Sequence, residues 1–109
     1  MPQLLNQFDL KPGITRARFD AAWAPFIAHM VDVDLAIGAG PVMTRFSDTG
    51  FDTDDERGQC LLVFIRFRDH AQADAAWDAI EADQKPLCTH HRKVFAMVDD
   101  AIFTFWNET

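Results

Sequence analysis

The chain has 109 residues, a length suited to one domain built on a single core. Hydrophobic residues make up 49% and charged residues 25%, which excludes a disordered or fibrous chain, and no apolar run reaches the ~20 residues of a membrane span. Ten basic against 17 acidic residues give a net charge of −7, the wrong sign for displacing counterions from phosphates, so no nucleic-acid partner is expected.

The stretch Leu4–Leu10 alternates as a strand, with Leu4, Asn6, Phe8 and Leu10 on one side, and Lys11-Pro12-Gly13 stops it. From Thr15, a plausible cap, the period becomes helical: Phe19, Trp23, Phe26 and Met30 make one stripe over 15–32, with a kink predicted where Pro25 removes a hydrogen bond. Residues 36–47 read as a turn followed by a strand at Val42–Phe46, and Ser47–Gly58 as an acidic, solvated loop. Cys60–Arg68 is the strongest strand, with Leu61, Val63, Ile65 and Phe67 on one face and Leu62, Phe64, Arg66 and Arg68 on the other. Asp69 and Gln72 form a capping-box pattern ahead of a helix that carries Ala73, Ala76, Trp77 and Ile80 on one side. Beyond Pro86 a further helical segment places Leu87, His91, Val94 and Val98 on a stripe, and Ala101–Trp106 closes the chain as a strand.

Strand, helix, strand, strand, helix in two pieces, strand is the split βαβ order. It predicts one ferredoxin-like α+β domain over 1–109, a four-stranded antiparallel sheet with helices on one face. The other sheet face keeps Leu62 and Phe64 in water, with either Phe103 and Phe105 or Ile102 and Trp106 from the last strand. Contiguous apolar area of that kind marks an interface, so a homodimer joined through its sheets is expected. Gln7 and Asp9 would face the partner, and Asp9 with Arg66 or Arg68 is a candidate ion pair at the seam. Cys60 and Cys88 have no zinc or CxxC spacing, and no charged-then-apolar leader opens the chain, so free buried thiols in a reducing cytoplasm are expected.

Two constellations could carry chemistry. Asn6, Trp77 and His90 or His91 could meet between sheet and helices, where an imidazole can ligate iron and a carboxamide can bind a ligand oxygen. Alternatively, Phe8, Phe19, Trp23, Phe26, Met30 and Trp77 line an aromatic pocket, with Asn6, His29 or His91 as its few polar groups. The acidic loop lacks the glycine and glutamate of a calcium loop, and no metal site is expected.

The element order, the Phe-Arg-Asp-His-Ala-Gln-Ala-Asp-Ala-Ala-Trp passage at 67–77 and the closing Ala-Ile-Phe-Thr-Phe-Trp strand resemble the dimeric α/β-barrel superfamily, in particular a small bacterial branch of it. That resemblance implies sheet-to-sheet homodimers and a ligand pocket between helices and sheet. It leads us to expect a protein that binds a small apolar or aromatic ligand without a cofactor. The alternative it carries is a monooxygenase-like enzyme. In the cofactor-independent form a base deprotonates a phenol and an amide steadies the anion. In the haem-degrading form Asn6 would orient oxygen, Trp77 would distort the macrocycle and His90 or His91 would be the axial ligand.

Overall fold

A computed structural model describes residues 1–109. Strand β1 (Pro2–Leu10) turns at Gly13 into helix α1 (Arg16–Asp32). Thr15 caps that helix in extended backbone, its hydroxyl accepting from the Arg18 amide at 3.2 Å. The stripe Phe19, Trp23, Phe26 and Met30 is buried, as its spacing predicts, and Phe19 packs on Phe8 of β1 with ring centroids 5.1 Å apart. Pro25 stands on the exposed side, and the helix continues through it to Asp32.

The strand expected at Val42–Phe46 is replaced by two short ones, β2 (Gly38–Ala39) and β3 (Met43–Thr44), both antiparallel to the same edge of β4 (Leu61–Arg66). The interruption has a local cause. Pro41 has no donor for the ladder, and at Gly40 a Cβ would stand 2.5 Å from the Phe64 ring. The Gly40 amide still reaches the Phe64 carbonyl at 2.8 Å. The sheet therefore counts five strands rather than four, but β2 and β3 share the place of the one expected. Helices α2 (His70–Glu81) and α3 (Leu87–Phe95) precede the last strand, β5 (Val98–Asn107). The order β2-β4-β1-β5 is the split βαβ topology.

Register settles the faces. Leu4, Asn6 and Phe8 lie beside Ile65, Val63 and Leu61, and this side holds the cluster of 14 buried core residues. The other side carries Leu5 and Gln7 beside Phe64 and Leu62. On β5 the pairing with β1 slips between Gln7 and Asp9, because an extra residue, Asp100, is accommodated in left-handed backbone at φ 53°. Beyond this bulge Phe103 and Phe105 pair with Asn6 and Leu4 and face the helices. Ile102, Thr104 and Trp106 fall on the side without helices, which decides between the two alternatives left open by the sequence.

Helix α2 is rotated by about one residue from expectation. It buries Gln72, Ala76 and Ala79, and Trp77 turns outward, 63% exposed. The pull comes from Gln72. Its amide donates to Asp69 at 2.8 Å, its Oε1 accepts from the Arg68 amide at 2.7 Å, and its Nε2 donates to the Asp34 carbonyl at 3.2 Å. With Nε2 also donating to Asp34 Oδ1 at 3.3 Å, the side chain makes three bonds of its own, stays in the interior and sets the helix phase.

Candidate functional site

At the centre of the helix-facing side of the sheet, Asn6 is 5% exposed and its Oδ1 accepts no hydrogen bond. The neighbours across the ladder are Val63 and Phe103, neither of which has a side-chain donor. Phe103 meets Phe95 of α3 at 5.9 Å, Phe95 meets His91 at 4.6 Å, and His91 meets Phe26 of α1 at 5.9 Å. This aromatic chain leads from the sheet floor up to the helices. Its outer end is open, because Phe103 and Phe105 face the helices yet remain 49% and 46% exposed. The helix layer covers β5 only in part, through Phe95 of α3 on Phe103 and His70 of α2 on Phe105.

Burial holds the His91 imidazole below its ordinary value, with the adjacent Arg92 charge adding to the effect. A neutral ring at neutral pH can accept a proton. His90, one residue away, is turned to His29 of α1 at 5.4 Å, and His29 lines a separate cleft of about 180 Å³ against Lys85 and Pro86. Trp23 is buried, stacked on Phe19 at 5.7 Å and edge-on to Phe26 at 5.6 Å, so Phe8, Phe19, Trp23 and Phe26 fill their part of the layer by packing on one another. Asn6, Phe8 and Trp23 thus belong to the interior and His91 to its margin, whereas Trp77 is outside it. The haem arrangement does not fit these positions: the indole meant to press on a macrocycle faces solvent on α2.

Of the residues expected at the seam, Asp9 and Arg68 also have partners within the chain. Asp9 accepts from the Cys60 amide at 2.8 Å, and Arg68 donates to Asp34 at 3.0 Å and lies 3.7 Å from Asp69. Both are thus engaged away from a seam. Of the two thiols expected to be buried, Cys88 is buried and Cys60 is exposed. Arg66 remains on the side without helices, its guanidinium 5.3 Å from the Phe64 ring centroid.

A second feature lies at the end of the sheet. The acidic loop is organised about Arg45, whose Nε and Nη2 grip both oxygens of Asp52 at 2.7 and 2.8 Å. Arg45 also donates to the carbonyls of Asp54 and Arg57. Asp54 in turn accepts from the Glu56 and Arg57 amides at 3.0 and 3.2 Å. These contacts hold the Asp52 carboxyl (through Arg45) and the Asp54 carboxyl (through the two amides) below the usual carboxylate range. Between this loop and the sheet is a cleft of about 330 Å³ with Gln7, Gln59, Leu61 and Leu62 in its wall. Sequence reasoning missed it. The available signal was a lone arginine ahead of five acidic residues. No group of three or more His, Cys, Asp or Glu side chains is placed to hold a metal ion.

Topology and register define the ferredoxin-like α+β fold found in dimeric α/β-barrel proteins. No protein-family model matches the chain, and no curated protein matches it in sequence. Among solved structures, the protein At3g17210 from Arabidopsis thaliana superposes with a TM-score of 0.75 at 6% identity, covering 100% of this chain and 96% of that one. SnoaB, a cofactor-independent oxygenase from Streptomyces nogalater, gives 0.62 at 12% identity over 98% and 91% of the two chains. A dimeric protein of unknown function and ferredoxin-like fold from Bacteroides fragilis gives 0.56 at 7% identity over 98% and 95%. At these identities the likeness is one of fold. No helix is long and apolar enough to cross a membrane.

Proposed function

We propose that this protein is a homodimer of a reducing, cytoplasmic compartment that binds a small aromatic ligand bearing a hydroxyl, a phenol in the simplest case, between β5 and the helices. The observation that carries the reading is the Asn6 Oδ1, buried with no donor. A buried acceptor left unpaired destabilises a fold by about 1–3 kcal/mol, so its retention is accounted for when a ligand supplies the donor. Phe103 and Phe95 offer rings for the ligand to lie against, and their exposed side gives it entry. Two free thiols, Cys60 and Cys88, and the dimeric neighbour from Bacteroides fragilis support the compartment and the assembly.

Calorimetric titration with naphthol, and with naphthalene as the ring lacking a donor, tests this. Naphthol is expected to bind the wild-type chain about tenfold more tightly than naphthalene, a margin worth one hydrogen bond, and Asn6→Leu is expected to remove it. Equal affinities in the wild-type chain would overturn the reading.

The neutral His91 supports a second reading, in which the same ligand is oxidised as in the cofactor-independent oxygenase SnoaB. His91 would take the phenol proton, and the Asn6 Nδ2 would steady the anion. Oxygen consumption with naphthol that His91→Phe abolishes would support it, and binding without consumption would leave a ligand-binding protein.

A further inference from the structure

The cleft between the acidic loop and the sheet is independent of the Asn6 site and opens on the opposite side, where Gln7 and Leu62 lie. Its buried, unspent polar group is an acceptor. Gln59 is 4% exposed; its Nε2 is spent on the Asp100 carbonyl at 3.0 Å, while its Oε1 has no partner at all. Arg45, the basic residue of the wall, turns its Nε, Nη1 and Nη2 into Asp52 and the loop carbonyls. The remaining charged groups here are Asp52, held by Arg45, and Asp54, held by the Arg57 guanidinium at 2.9 Å, and each carboxylate keeps further lone pairs. Thr44 already accepts from Arg16 at 3.4 Å. Leu62 and Met43, paired across the ladder, supply an apolar floor.

A buried acceptor with no partner, flanked by two carboxylates whose arginines are turned into the loop, suits a ligand that donates and is positive. We propose that this cleft binds an organic ammonium, a primary amine with a short apolar body, its nitrogen donating to Gln59 Oε1 and its body lying on Leu62 and Met43. At about 330 Å³ the space fits a molecule of one ring and a short chain. The chain's net charge of −7 favours the same sign of ligand, and the contact weakens as salt is raised. A second copy packed on this side of the sheet would roof the cleft.

Calorimetry with phenethylamine, phenethyl alcohol and hydrocinnamate distinguishes an ammonium from a neutral donor and from an anion on nearly the same body. The amine is expected to bind about tenfold or more tightly than the alcohol, the advantage of a charge-assisted hydrogen bond, and the carboxylate not at all. Gln59→Leu is expected to lower amine affinity about tenfold. Because that change also strips a donor from the Asp100 carbonyl, Met43→Trp provides a second variant, filling the mouth from an exposed position and abolishing binding without touching the interior. Asn6→Leu leaves amine binding intact, so this site and the phenol site succeed or fail separately. Absence of amine binding to the wild-type chain, equal binding of alcohol and amine, or undiminished binding in Met43→Trp would each overturn the assignment.

Discussion

Asn6 sets ligand recognition against stability in a single side chain. Its carboxamide lies among Val63, Phe8 and Phe103, where leucine, of the same branching and heavy-atom count, would leave nothing unsatisfied. Asn6→Leu is therefore expected to stabilise the unliganded chain by about 1–2 kcal/mol, read as a rise in melting temperature, while losing the preference for a phenol. A fall in melting temperature would mean that the carboxamide is satisfied within the fold. His91 offers a test of opposite character. Burial beside Phe26 and Phe95 holds its folded-state value below 6.5, the unfolded value. Between those two values the unfolded chain binds the additional proton. The linked stability is thus full above pH 6.5 and lost as pH falls through that value toward the lowered one. Urea unfolding of His91→Phe at a series of pH values from about 7 to about 5 is expected to show a flatter decline than the wild-type chain. Identical slopes would show that the ring titrates as if in water.

Helix α2 shows how a polar residue can decide the phase of an apolar helix. Gln72 holds the Arg68 amide and the Asp34 carbonyl, joining the end of β4 to the turn after α1. Gln72→Ala leaves both buried groups without that partner and is expected to destabilise by about 2 kcal/mol in denaturant titration, whereas a loss under about 0.5 kcal/mol would show that water replaces the carboxamide. The same residue explains one limit on what could be read beforehand. Apolar periodicity alone puts Trp77 on the inner stripe, since the hydrogen bonds that rotate the helix reach a residue 38 positions away. Where apolar spacing is long and unopposed, as in Phe19–Met30 or Leu61–Phe67, the faces were legible and are found as expected. The bulge at Asp100 was not legible, because an inserted residue leaves the local composition unchanged while exchanging the two faces of everything after it. Of the candidate sites, the Asn6 layer was visible through its strand alternation. The Arg45 loop was not, since its order comes from a guanidinium contacting carbonyls and carboxylates up to 12 residues on.

A two-layer slab of 40 × 38 × 20 Å has one broad face with no second layer on it. The chain exposes 6811 Å², against roughly 6,100 Å² for a monomeric protein of this mass. Its radius of gyration is 14.4 Å, against about 13 Å for a compact chain of this length. The surplus has an address. Leu5, Leu62, Phe64, Ile102 and Trp106 share the uncovered face, while Phe103 and Phe105 are half-exposed on the other side of the same last strand. Strand β5 pairs only with β1, so its outer edge is also free over ten residues. A second copy laid face to face about a two-fold axis would cover Leu5, Leu62, Phe64, Ile102 and Trp106, while Phe103 and Phe105, on the helix side, would lie outside that interface. With Asp9 and Arg68 engaged within the chain, apolar burial is left as the main driving force, with Arg66 at its rim. We therefore expect sedimentation of the wild-type chain at low micromolar concentration to report two copies. The double variant Phe64→Glu with Trp106→Glu is expected to sediment as one copy with its far-ultraviolet circular dichroism unchanged, because both side chains lie outside the buried core cluster. A wild-type chain that sediments as a single copy would leave five large apolar side chains in water without a partner and would remove the homodimer from the proposed function.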